Sequence, residues 1–128
     1  LTLNPNNSKA HCGLGILHLM RHQAEQAENR FLVALDLDSQ NQAALLELVS
    51  MAHQKNSFAQ IKPRLVRFLL REPGNNGIRY QLAVCLYREG HWAACEREVD
   101  TIIAADSRHD GAIKLKQSML KQKHSQGV

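Results

Sequence analysis

The sequence predicts an all-α chain built from repeated pairs of helices, and three observations lead there. Residue types recur at an interval of 34: Pro5, Ser39, Pro73 and Ser107; Asn7, Asn41 and Asn75; Leu14, Leu48 and Leu82; Leu35, Leu69 and Ile103. Four interleaved series at one period mark an internal repeat. Within each repeat, apolar residues return at three- and four-residue steps, the spacing of one helix face, with a polar break in the middle. No segment shows the strict alternation of a half-buried strand. The repeats are residues 8–41, 42–75 and 76–109, followed by a shorter segment, 110–128, so seven helices are expected.

Each element follows from this pattern. In the first repeat, Leu14, Leu17 and His18 share a face with His11, and Arg21-His22-Gln23 interrupts it. The pattern resumes at Ala27, Phe31, Ala34 and Leu35 and stops at Asp38-Ser39-Gln40-Asn41. The second repeat shows Leu45, Leu48, Val49 and Ala52, a break at Gln54-Lys55-Asn56-Ser57, then Ile61, Leu65, Phe68 and Leu69. Pro73-Gly74-Asn75 ends it, because proline lacks the N–H that a helix interior uses. The third shows Leu82, Ala83 and Leu86, then Cys95, Val99, Ile102 and Ile103. Its break, Glu89-Gly90-His91, contains a glycine suited to the left-handed conformation that closes a helix. Pro63 lies awkwardly in the second repeat, whose second helix is expected to start late or bend there. Asp110 is placed to cap a final helix through about Lys123. Ala112, Ile113, Leu115, Met119 and Leu120 would face inward there, and Lys114, Lys116, Lys121 and Lys123 outward. Residues 124–128 read as a disordered tail.

Composition excludes other classes. The chain has 128 residues, 16 Lys and Arg against 12 Asp and Glu, a net charge of +4, and only ten Gly and Pro. It is too apolar for intrinsic disorder and too poor in Gly and Pro for a low-complexity chain. No apolar run approaches the ~18 residues of a membrane span. Three cysteines at 12, 85 and 95 make no disulfide framework. The chain starts Leu1-Thr2-Leu3, without the features of a signal peptide. Compartment stays open between cytoplasm and periplasm. Residues 1–7 read as the end of an upstream repeat, so the chain is expected to be a piece of a longer array.

The period and the apolar slots resemble the tetratricopeptide repeat (TPR), W-x2-L-G-x2-Y, then A-x3-F, then P, over 34 residues. The first repeat reads His11-x2-Leu14-Gly15-x2-His18, Ala27-x3-Phe31, Ser39; the second Leu45-x2-Leu48-Val49-x2-Ala52, Ile61-x3-Leu65, Pro73; the third Arg79-x2-Leu82-Ala83-x2-Leu86, Cys95-x3-Val99, Ser107. The resemblance implies a right-handed α-solenoid of three helix-turn-helix TPR units plus a C-terminal capping helix, or a final helix that begins a fourth repeat. Small Gly15, Ala27 and Ala34 allow close approach of the two helices. The second repeat exchanges sizes: bulk at Val49, Ile61 and Phe68, and Ala52 where a large residue is usual. Ala52 is expected to make room for Ile61 or Phe68.

Catalytic and metal chemistry finds little support in the residues. His18 and His22 share a face four residues apart, but no Cys, Asp or Glu nearby completes a zinc set. His11 and His18 fill slots that the family gives to aromatics and read as packing residues; His53, His91 and His109 are isolated. Cys95 reads as buried and inert, Cys85 as half-buried, and Cys12 as facing the groove. No nucleophile elbow or phosphate loop is present, and no cofactor motif. Glu96, Glu98 and Asp100 point apart on a helix and read as solvated. The chain is read as non-catalytic.

The second repeat carries five Lys and Arg against two acids, with Lys62, Arg64, Arg67 and Arg71 on its outer helix. Without interleaved aromatics for base stacking, a solvated face explains this better than nucleic-acid binding. In the family, the first helix of each pair lines a concave groove where peptides lie. By that resemblance the partner-binding residues are Lys9, Cys12, Ile16 and Met20; Leu46, Ser50, His53 and Gln54; and Tyr80, Val84, Tyr87 and Arg88, with Lys114 as a possible addition. The carboxylate clamp of the chaperone-binding members is absent, since its positions hold Cys12, Ile16, Glu47, Gly77 and Gln81. The expected function is a protein–protein interaction scaffold binding a peptide or partner protein of open identity. Its alternative is a targeting or regulatory region of a larger enzyme, such as a glycosyltransferase, or of an export or envelope-assembly protein. Exposed repeat ends would also permit self-association.

Overall fold

The computed structural model describes residues 6–126, with side chains through Gln122. Most of the opening stretch read as an upstream repeat end, residues 1–5, and the last two residues of the tail lie outside the described residues. The described residues form seven α-helices and no strand: α1 (Ser8–Met20), α2 (Ala24–Leu37), α3 (Gln42–Lys55), α4 (Ile61–Arg71), α5 (Asn76–Arg88), α6 (Trp92–Ala105) and α7 (Asp110–Gln126). Helix α7 continues three residues past the expected end at Lys123. None of the described helices is long and apolar enough to cross a membrane.

The 34-residue period reappears as backbone geometry. The side chains of Asn7, Asn41 and Asn75 each accept from the backbone N–H three residues on, at 3.1 Å, and so cap α1, α3 and α5. A helix start leaves such N–H groups without internal partners, and a short side-chain acceptor satisfies one of them. The fourth place in this series is His109, whose Nδ1 accepts from Ala112 N at 3.1 Å. The cap of α7 is therefore His109 and not the expected Asp110, which is already the first helical residue.

The first helix of each pair closes with equal regularity. His22 (φ 59°), Asn56 (φ 54°) and Gly90 (φ 80°) all take the left-handed conformation, 34 residues apart. The next residue in each case donates back to a carbonyl five residues earlier: Gln23 to His18, Ser57 to Ala52 and His91 to Leu86, at 2.8–3.0 Å. This 6→1 bond is the mark of a Schellman stop. Helices α2 and α6 start at equivalent positions, Ala24 and Trp92. The third equivalent is Phe58, yet α4 starts at Ile61, three residues late. Pro63 then falls in the first turn, where its missing N–H costs nothing. Phe58 stays outside the helix and is buried.

The chain divides into two compact units, Leu1–Arg71 and Glu72–Val128. In the first, α1 packs on α2, α2 on α3, and α3 on α4. Its fully buried side chains include Phe31, Leu45, Leu65 and Phe68. Gly15 gives α2 its close approach to α1: a Cβ there would stand 2.6 Å from Phe31 Cε1. Leu17 was expected on the same inner face but is 50% exposed. The inner face of α1 runs instead through His11, Cys12 and Gly15. A step of three from Leu14 reaches exposed Leu17, whereas a step of four from His11 reaches buried Gly15. In the second unit, α5, α6 and α7 pack together around Ala83, Cys95, Val99, Ile102, Ala112 and Met119. Leu120 was expected inside and is exposed.

Candidate functional site

The first helices of the two units treat their expected partner-binding residues differently. In the first unit, Lys9, Ile16 and Met20 on α1 and Leu46, Ser50 and Gln54 on α3 are exposed. Ile16 (41%), Met20 (72%) and Leu46 (38%) present apolar surface to solvent. His53 is half-buried, with its ring edge-on to Phe58 at 5.1 Å. Cys12 is a correction, because it is buried at 6% exposure rather than open to a groove. Burial first, and the Glu47 carboxylate second, push its thiol pKa up.

In the second unit, Tyr80, Val84 and Tyr87 are half-buried and pack on the core of that unit. Tyr80 occupies the space beside Gly111, where a Cβ would meet its ring at 2.9 Å. It also lies 5.5 Å from the His109 ring, so His109 is not isolated. Tyr87 meets Trp92 edge-on at 5.2 Å. Arg88 is exposed at the end of α5, and Lys114 is exposed in an ion pair with Asp110 at 3.0 Å. Three of the four residues chosen here thus have packing work to do. Cys85, expected half-buried, is fully buried, as is Cys95.

His11 and His18 have structural partners. His11 is buried and its Nδ1 lies 3.2 Å from Arg30 Nη1. His18 Nδ1 lies 2.7 Å from Gln23 Oε1 across the helix end. Among the described residues, no group of three or more His, Cys, Asp or Glu could hold a metal ion. The third repeat places Arg79 and Glu98 where the first places His11 and Arg30, and these two pair at 2.6 Å. Glu98 is therefore half-buried and engaged, not solvated. Asp100 likewise accepts from Lys116 at 2.7 Å, and that bond, with the carboxylate charge behind it, raises the Lys116 pKa.

The second repeat has Leu45 in the slot of His11 and Arg79, so Arg64 finds no polar partner opposite. It reaches Asp36 on α2 instead, at 3.1 Å. Beside it opens a cleft of about 270 Å³, bounded by α2, α3, α4 and the turn before α4. Leu32, Leu48, Ala52 and Ile61 supply its apolar wall. Lys55 and Glu28, which form an ion pair, also line it, together with Arg64. Ala52 was expected to give its space to Ile61 or Phe68. Both are buried, yet Ala52 and Ile61 still border open volume. Sequence reading missed the cleft, although all its causes are local departures of the second repeat from its neighbours.

No known family model matches the chain, and no curated protein does either.

Proposed function

We propose that the helix pairs are tetratricopeptide-type repeats stacked as a right-handed α-solenoid, and that the chain is a non-catalytic scaffold binding a peptide or partner protein on the face of its first helices. The observation that supports this best is the exposed apolar set Ile16, Met20 and Leu46 on α1 and α3, together with polar Lys9, Ser50 and Gln54. These side chains stand outside the core while their helices are held by buried His11, Cys12 and Gly15 on α1 and by Leu45, Leu48 and Ala52 on α3. Large apolar groups rimmed by polar ones are a common feature of protein-binding surfaces. The 34-residue recurrence of caps and left-handed stops supports the repeat reading.

The test is selection of binders from a displayed peptide library, repeated with an Ile16→Ser/Leu46→Ser variant. Both positions are exposed, so helicity by circular dichroism should be unchanged. The expected result is that selected peptides lose at least about tenfold in affinity. Peptides that bind the variant equally well would remove this face from the proposal.

A further inference from the structure

The cleft beside Ala52 shares no lining residue with the exposed set on α1 and α3, and the proposed scaffold function makes no use of it. Two departures of the second repeat from the other two meet there, and a third leaves its lining residue Arg64 without the counterpart seen in the other repeats. Ala52 stands where the first and third repeats carry His18 and Leu86. Helix α4 starts three residues later than α2 and α6 do in their repeats, so Gln60 borders the cleft from a turn, together with Ser57. Leu45 replaces the polar residue that would engage Arg64. Local rules broken together in one place are where a functional site is to be sought.

We propose that this cleft binds a small carboxylic acid with a compact apolar body, the carboxylate meeting Arg64 and the body lying against Leu32, Leu48, Ala52 and Ile61. The charge fits. The cleft is lined by two cations, Lys55 and Arg64, and one carboxylate, Glu28, which is taken up by Lys55. Arg64 gives one N–H to Asp36, whose side chain is 64% exposed. Guanidinium has five donors, and its fork suits a carboxylate held by two of them. The size fits as well. A cavity of about 150 Å³ holds benzene, so about 270 Å³ accommodates roughly ten heavy atoms. Leu48, Ala52 and Ile61 are themselves nearly fully buried, which makes the wall firm.

The probe is 3-phenylpropanoate, with 3-phenylpropanamide as its neutral counterpart. Binding is read from saturable NMR shifts of Leu48, Ala52 and Ile61 in the whole chain. The acid is expected to bind with a dissociation constant of about 1 mM or tighter, and the amide at least about fivefold more weakly. Arg64→Gln should bring the acid down to the level of the amide. Ala52→Leu should abolish the binding of both while the helical spectrum is retained. Arg67→Gln, on the exposed side of α4, should change nothing. The proposal is overturned if the acid gives no saturable shifts up to about 20 mM, if acid and amide bind alike, or if Ala52→Leu binds as the unaltered chain does.

Discussion

Gly15 and the ring of Phe31 are in such close contact that a Cβ on Gly15 would lie 2.6–2.8 Å from three ring carbons. The ring is fully buried and has nowhere to swing. Gly15→Ala is therefore expected to destabilise the chain by about 1–3 kcal/mol, although alanine is the better helix former. Adding Phe31→Leu should recover part of that loss, because the second repeat pairs Val49 with Leu65 at the same two positions. Denaturant unfolding of both variants checks it. A neutral Gly15→Ala would mean that the helices of the first pair stand further apart than described.

The asparagine caps invite a series. Asn41 accepts from Ala44 N and donates to Ser8 Oγ at 2.7 Å, and Ser8 Oγ donates to Ala34 O. Asn41→Ala should cost about 1–2 kcal/mol, more than Asn7→Ala at the exposed first cap. His109 caps α7 only through an Nδ1 that carries no proton. His109→Asn is expected to preserve stability and His109→Ala to lose about 1 kcal/mol, by thermal or denaturant unfolding.

His22 holds a left-handed conformation that costs a residue with a Cβ roughly 1–2 kcal/mol. Part of that is offset by the extra chain entropy glycine brings to the unfolded state. His22→Gly should thus stabilise by about 0.5–1 kcal/mol. Asn56→Gly should gain less, since asparagine tolerates this region better. Equal or negative effects in unfolding curves would contradict the repeated stop.

Much of this fold was legible in the sequence because a 34-residue period shows wherever similar residue types recur. The leucine series and the buried set of the second repeat are of that kind. The left-handed stops were not legible, since His22, Asn56 and Gly90 share a conformation and no chemistry. The asparagines were visible as a series but read as helix ends rather than helix starts. Tyr80 and Val84 were placed in the groove by resemblance; they pack on the core that α5, α6 and α7 share, which the pattern of a single helix pair omits. The cleft needed Ala52, Ile61 and Arg64 brought together from two helices, and periodicity reports only one helix at a time.

Burial, and after it the charges of Glu96 and Glu98, push the Cys95 thiol up to about 11 from 9.0. The folded state therefore favours the neutral thiol, and the unfolded state releases its proton first. The stability from this group is complete below pH 9 and is lost as pH rises toward 11, by about 2 kcal/mol. Cys95→Ala should flatten that part of the pH profile of stability. In the folded chain at pH 8, Cys95 should resist thiol reagents that need a thiolate.

The most direct measurement is to bind a library-selected peptide and map its contacts by intermolecular NMR transfers. If the first helices form the binding face, transfers will appear to Ile16, Met20 and Leu46, and Ser50 will shift. Transfers confined to the outer residues Val66, Arg67 and Leu70 of α4, with Ile16 and Leu46 silent, would contradict it.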